Sequence, residues 1–185
     1  MTTLTIAPES SPAAVTVVTD FADIQKKLDE IGVLIERWQA DRPLTNDASQ
    51  ETILAAYRPQ VERLKAQYGF QSADVISVAP DNPKKDDLRA MFLKEHTHSD
   101  HEVRFFVEGR GLFFLHPNDT VYGILCEAGD LLTVPADTRH WFDLGSMPDL
   151  KCIRLFTTQE GWVANYTGSD IASTFPTLEQ FLERG

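Results

Sequence analysis

The chain has 185 residues and 42% hydrophobic content, which suits a single domain (1–185) large enough to bury a real core. Its formal net charge of −11 argues against nucleic acid or an anionic membrane as the main partner. An anionic substrate would therefore need local positive groups to meet it.

Taken in chain order, residues 15–19 (Val-Thr-Val-Val-Thr) follow a Pro/Ser stretch at Pro8–Pro12 and predict an added edge strand. Asp20 caps a predicted helix from Phe21 to about Glu30, with Ile24, Leu28 and Ile31 at helical spacing and Gly32 at its end. Residues 33–38 read as a strand. Residues 49–68 carry the best helical stripe, Ile53, Leu54, Tyr57, Val61, Leu64 and Tyr68, with Pro59 kinking or dividing it. These parts form an N-terminal elaboration over residues 1–70. Between 72 and 157 the chain changes to short β-branched and aromatic runs separated by Pro, Gly, Asn and Asp. The predicted strands are 73–79, 89–96, 102–108, 111–115, 121–126, 131–134, 139–144 and 150–157, a spacing that indicates a closed barrel or sandwich. The C-terminal part, 158–185, is expected to hold a strand and then a short helix over 177–184 after Pro176.

The first residues lack the basic and apolar regions of a secretion signal, and no run reaches the ~18 apolar residues of a membrane span. Cys126 and Cys152 lie in apolar, strand-like segments and read as buried thiols rather than a disulfide framework. A cytoplasmic location is expected.

The chemistry concentrates in His96, His98, Glu102 and the distant His140. Neutral imidazoles and a carboxylate are what a borderline divalent transition metal takes as ligands. On a strand, His96 and His98 point the same way, and Glu102 and Arg104 share that parity if the loop at 99–101 restores the register. Val103, Phe105 and Val107 make the opposite, apolar face. Such inward ionisable groups are costly to bury unpaired, and metal coordination removes much of that cost. An H-x-H pair alone is a weak signal, since surface strands carry such pairs by chance. The spaced Glu102, and His140 after Gly129-Asp130 and Pro135, strengthen it. A His₃Glu set leaves two adjacent positions on an octahedral ion, which suits a substrate binding through two oxygens. His101 has the wrong parity and His116, before Pro117, falls in a predicted turn, so neither is read as a ligand.

The run from His96 through Glu102 to Gly109, and the run from Gly129 through Pro135 to His140, resemble the two motifs of the cupins, with Asp137 where the pattern has Gly. The resemblance tightens to the acireductone dioxygenase family of bacteria. It is carried by Glu95-His96-Thr97-His98, by residues 102–111, by Gly129–Pro135, by His140-Trp141-Phe142 and by residues 153–156. It implies a mainly β, cupin-type barrel (jelly roll) with a few flanking α-helices. It implies one Fe²⁺ or Ni²⁺ ion per chain, held by His96, His98, Glu102 and His140. The implied substrates are O₂ and acireductone, 1,2-dihydroxy-3-keto-5-methylthiopentene, in methionine salvage. With iron the implied products are formate and 4-methylthio-2-oxobutanoate; with nickel they are 3-methylthiopropanoate, formate and carbon monoxide. A monomer is expected.

Arg104 matches the family residue tied to forming the substrate dianion, against the plainer reading of a structural salt bridge. Arg154 is a second such group by resemblance, and burial there would demand an anionic partner. Phe92, by parity with His96, and Phe142, by parity with His140, are candidate walls for the methylthio tail; Trp162 is a candidate for the entrance. For each aromatic, ordinary core packing competes. Glu95 lies on the face away from the ligands. It and His101, where the family carries an acid, are assigned to the surroundings of the ligands or to metal loading. The rival readings are another cupin enzyme, either a dioxygenase for a different chelating substrate or a zinc-type isomerase, and a non-catalytic metal-binding cupin.

Overall fold

The computed structural model describes residues 1–42, 44–45, 47–158 and 163–183. In chain order the elements are β1 (Thr3–Pro8), β2 (Thr16–Val18), α1 (Phe21–Asp29), β3 (Leu34–Arg37), α2 (Gln50–Ala56), α3 (Arg58–Tyr68), β4 (Ser72–Val78), α4 (Lys85–Phe92), β5 (His96–Thr97) and β6 (Glu102–Glu108). They continue with β7 (Arg110–Leu115), β8 (Thr120–Glu127), β9 (Asp130–Val134), β10 (His140–Asp143), β11 (Leu150–Phe156), β12 (Asn165–Tyr166), a 3₁₀ turn (Ile171–Thr174) and α5 (Leu178–Glu183). The strands build two sheets, ordered β12-β5-β10-β7-β8-β1-β2 and β3-β9-β6-β11-β4.

Period-two alternation sets the layers. Phe113, Leu115, Ile124, Cys126 and Phe142 of the larger sheet meet Phe106, Leu132, Val134, Leu150 and Cys152 of the smaller one in the central core. Ile24 and Leu28 of α1 pack into the same core. The other face of the smaller sheet, Val103, Phe105, Val107, Ile153 and Leu155, is covered by Ile53 and Tyr57 from the α2 region and Val61 and Leu64 of α3. The other face of the larger sheet, Leu112, Phe114, Val121 and Trp141, packs on Ile171, Phe175 and Leu178.

Local chemistry explains the helix ends. The Asp20 carboxylate accepts the Ala22 and Asp23 backbone N–H groups at 3.0 and 3.1 Å. The stripe over 49–68 is two helices, as Pro59 allows: the first stops at Tyr57, and Pro59 sits in the opening turn of α3, where no helical N–H is needed. Gly69, with φ of +76°, ends α3.

Two segments differ from the expectation. Residues 89–96 were predicted as a strand; instead α4 occupies Lys85–Phe92 and β5 is only two residues long. Acidic Asp86 and Asp87 in the first turn and Arg89 in the last favour the helix through its dipole. β1 is an addition, running along β8 in a six-residue register. The edge strand predicted near residues 15–19 is β2, which pairs with β1. β12 is the short strand of the C-terminal part: Asn165 and Tyr166 pair with Thr97 and His96.

Gly111 makes room for a ring. A Cβ there would lie 2.2 Å from Cζ of Phe142. Gly111→Ala should force that buried ring to shift, costing about 1–3 kcal/mol. Thermal unfolding of the metal-free protein checks this, and an unchanged Tm would contradict it.

The C-terminal helix is tied down by charge. Arg89 binds both carboxylate oxygens of Asp143 at 2.7 and 2.9 Å and Glu179 at 2.8 Å, while the Ser146 N–H donates to Glu179 at 2.6 Å. Burial opposes the charge on Glu179, but the Ser146 and Arg89 hydrogen bonds outweigh it and hold the group down to about 2 from 4.5. A depressed folded-state pKa stabilises above the unfolded value and ceases to do so as pH falls through the folded one. In the metal-free protein, the denaturation midpoint of Glu179→Gln should lie below that of the unaltered chain by a constant amount above pH 4.5, and the gap should close as pH falls towards 2. A gap independent of pH would rule this coupling out.

Candidate metal centre

The four candidate ligands meet where both sheets end on the same side. His96 and His140 are directly opposite each other on β5 and β10. His98 follows just past β5, and Glu102 opens β6 in the facing sheet. All four are buried. The His96 ring lies 4.3 Å from that of His140 and 4.9 Å from that of His98, centroid to centroid. One nitrogen from each of the three rings lies within 4.8 Å of the others. Glu102 Oε2 comes to 3.3 Å from His98 Nε2 and 3.1 Å from His140 Nε2.

Backbone carbonyls set the tautomers. His96 Nδ1 faces the Lys94 carbonyl at 2.7 Å, His140 Nδ1 faces the Thr138 carbonyl at 2.7 Å, and His98 Nδ1 faces the Val163 carbonyl at 3.0 Å. A carbonyl only accepts, so each Nδ1 donates and each neutral ring presents its Nε2 lone pair. Glu102 Oε2 and His140 Nε2 are buried and lack a hydrogen-bond partner, although they face each other. Two opposed lone pairs in a buried site require a cation between them, either a proton or a metal ion. Nitrogen and carboxylate oxygen donors of this kind fit a divalent transition metal.

The titration behaviour agrees. Burial, with His140 close by, pushes His96 down to about 4, so its ring is neutral and ready to ligate at neutral pH. Burial also opposes a proton on His98, but the facing Glu102 carboxylate outweighs it and raises that group. Burial disfavours the Glu102 carboxylate too, yet Arg104, helped by His140 and His98, holds it well below the usual range.

Glu102 is shared between two jobs. Its Oε1 accepts from Arg104 Nε at 2.5 Å while Oε2 faces the imidazoles. The Arg104 guanidinium lies 4.9 Å from the Phe142 ring centre, 5.2 Å from Phe113 and 5.7 Å from Phe92, an aromatic wall that keeps water from its faces.

The remaining candidates are placed as follows. Phe142 packs on Phe113 at 4.8 Å and on Phe92 at 6.3 Å. Phe92 arrives from the end of α4, so the strand parity proposed for it does not apply, although it still reaches the Arg104 wall. Arg154 sits across from Arg104 on β11, and its guanidinium is held by both oxygens of Asp74, at 2.8 and 2.6 Å. Arg154 is half-buried, and Asp74 is its anionic partner. The Glu95 carboxylate engages His116 and Thr167. His101 is exposed, with its backbone N–H on Asp100. His116 lies just past β7 and leads into the turn at Pro117–Thr120, as expected, and it is buried there. Trp162 lies outside the described residues. Asp137, the departure from the cupin pattern, has φ of +60° and donates its N–H to the His98 carbonyl at 2.8 Å. Asp tolerates that left-handed conformation at modest cost, which is why it can stand in for Gly.

Two kinds of contributor escaped the sequence reading. The orienting carbonyls of Lys94, Thr138 and Val163 leave no side-chain signal. Phe113 had one: it alternates inward with Leu115 and faces the His140 ring at 6.3 Å.

Comparison with known proteins agrees with this geometry. A family model described as the ARD/ARD' family matches residues 7–164. A curated relative from Methylococcus capsulatus, named acireductone dioxygenase, is 67% identical over 99% of this chain and 98% of its own length. The chain belongs to the acireductone dioxygenase family. Another member, from Aquifex aeolicus, is 60% identical over 88% of this chain and 89% of its own length. A solved member of the family, acireductone dioxygenase from Bacillus anthracis with a cadmium ion in its active center, superposes with a TM-score of 0.80 at 35% identity. It covers 90% of this chain and 98% of that one, so the two-sheet architecture is the cupin-type β fold of the family. Among the described residues no helix is long and apolar enough to cross a membrane.

Proposed function

We propose that this chain cleaves acireductone with O₂, using one Fe²⁺ or Ni²⁺ ion held by His96, His98, Glu102 and His140. The observation that carries the reading is the convergence of three Nδ1-anchored imidazoles on the unsatisfied Glu102 oxygen, with Arg104 on the other oxygen of the same carboxylate. His96, His98, Glu102 and His140 would hold the ion, which would supply Lewis-acid and redox chemistry for a chelating enediolate and O₂.

The protein's own groups do the rest. Neutral histidines add no charge, and Arg104 cancels Glu102. The centre is therefore left with the charge of its divalent ion, which a doubly deprotonated substrate neutralises. Arg104 is the nearest fixed cation to that substrate. An arginine stays charged whatever the local polarity, so it favours the dianion over the neutral acireductone. Phe92, Phe113 and Phe142 exclude water around it and offer an apolar surface for the methylthio tail. Arg154, already tied to Asp74, adds a second positive group one strand away. With Fe²⁺ the proposed products are formate and 4-methylthio-2-oxobutanoate; with Ni²⁺ they are 3-methylthiopropanoate, formate and carbon monoxide. The family membership supports this assignment, and because all four ligands come from one chain, a monomer suffices.

Anaerobic titration tests the substrate class. Acireductone added to the Ni²⁺-loaded protein should bind as the dianion and shift its ultraviolet absorption to longer wavelength at a pH where the free compound is a monoanion. Absence of that shift at saturating substrate would overturn the chelation reading.

A further inference from the structure

On the side of β5 away from the ligands lies a second group of ionisable side chains that the reaction does not use. The buried His116 has Nδ1 2.6 Å from Glu95 Oε1 and Nε2 3.0 Å from Glu9 Oε2. With a carboxylate at each nitrogen, the ring bridges Glu95 and Glu9. The other Glu95 oxygen accepts from Thr167 Oγ1 at 2.6 Å, and the Glu95 carbonyl accepts the Thr167 N–H at 3.1 Å. A buried carboxylate is costly without such partners, so the group holds together as a unit.

That unit ends on β12, which needs holding. β12 is two residues long and exposed, and among the described residues it pairs with β5 alone, at the edge of its sheet. Just before it stands Val163, whose carbonyl accepts from His98 Nδ1. Within it, Tyr166 is paired with His96, ring centres 6.0 Å apart. The His96 and His140 carbonyl partners lie two residues upstream in the same short segments, whereas the His98 partner comes from the far end of the chain.

We propose that His116 is a positioning residue for the metal centre. Its Nδ1 contact fixes the Glu95 carboxylate, Glu95 holds Thr167, and Thr167 keeps the Val163 carbonyl against His98. The proposal rests on the metal-centre reading but not on the identity of the substrate. It makes His98 the ligand whose orientation depends on a distant strand, and it assigns the buried His116–Glu95 pair, with the exposed Glu9 at its outer end, to that task.

Nuclear magnetic resonance of the metal-free protein, labelled with ¹⁵N at histidine, tests it without turnover. In Thr167→Val and His116→Gln, the His98 Nδ1–H should exchange with water about 10-fold faster than in the unaltered chain, and Ni²⁺ should leave the loaded protein to a chelator about 10-fold faster. The His140 Nδ1–H, anchored on Thr138, should exchange as before. Thr167→Ser, which keeps the hydroxyl, should restore both rates. Thr167 is exposed, so Thr167→Val decides the matter even if His116→Gln fails to fold. Unchanged His98 exchange in Thr167→Val, or a parallel rise at His98 and His140, would overturn the proposal.

Discussion

His96→Ala is expected to lower Ni²⁺ or Fe²⁺ affinity by well over about 100-fold, more than the loss of an outer hydrogen-bond partner costs, and to bring turnover down to the spontaneous rate. The reasoning is geometric. His96 is the strand partner of His140, and its ring is the nearest of the three to that neighbour. Burial keeps it neutral, so it is the imidazole most ready to bind an ion without first losing a proton. Removing it leaves two imidazoles and a carboxylate, and a chelating substrate then competes for an incompletely held ion. The fold should survive, because His96 lies at a sheet end and the central core does not depend on it. Equilibrium dialysis with metal analysis, alongside circular dichroism, makes the check. A folded variant that kept a full equivalent of metal would show that His96 is not a ligand.

Arg104→Ala should separate binding from reaction. Metal retention should persist while kcat/KM falls by about 10²–10³, the loss seen when a preorganised group aimed at developing negative charge is removed. The competing outcome is structural. Removing one member of a buried pair can cost about 3–5 kcal/mol by leaving the other charge uncompensated. Glu102 differs from an ordinary buried partner because a bound ion can take over its compensation. The variant should therefore be markedly less stable without metal and largely rescued by it. Thermal unfolding with and without Ni²⁺, followed by steady-state kinetics on the loaded form, distinguishes the two. Unaltered turnover in a fully loaded variant would reduce Arg104 to a salt-bridge residue.

Much of this centre could be read in the chain because β-structure converts sequence into faces. Alternation placed Glu102 and Arg104 inward and Val103, Phe105 and Val107 outward, and that is how β6 is packed. The same logic failed at Phe92, where a predicted strand is the end of a helix: Leu88, Ala90 and Met91 fit either pattern, and the acidic first turn tipped the balance. Pro59 signalled a break whose location the sequence left open. The turn after His116 was legible from Pro117, but its burial was not, because the partners that make it possible, Glu9 and Glu95, lie far from it in sequence. The carbonyls that orient the three histidines could not be read at all, since every residue carries one and only the folded backbone aims it. Arg154 was expected beside an anion, and nothing local pointed to Asp74 on the neighbouring strand.

The most direct test of the central claim is turnover by the reconstituted protein. Metal-free protein loaded with Fe²⁺ or with Ni²⁺ is mixed with acireductone and O₂, and the products are analysed. The account predicts consumption well above the spontaneous oxidation, with formate and 4-methylthio-2-oxobutanoate from the iron form and carbon monoxide appearing only with nickel. A rate no greater than the uncatalysed one with either metal, in protein shown to hold a full equivalent of ion, would contradict it.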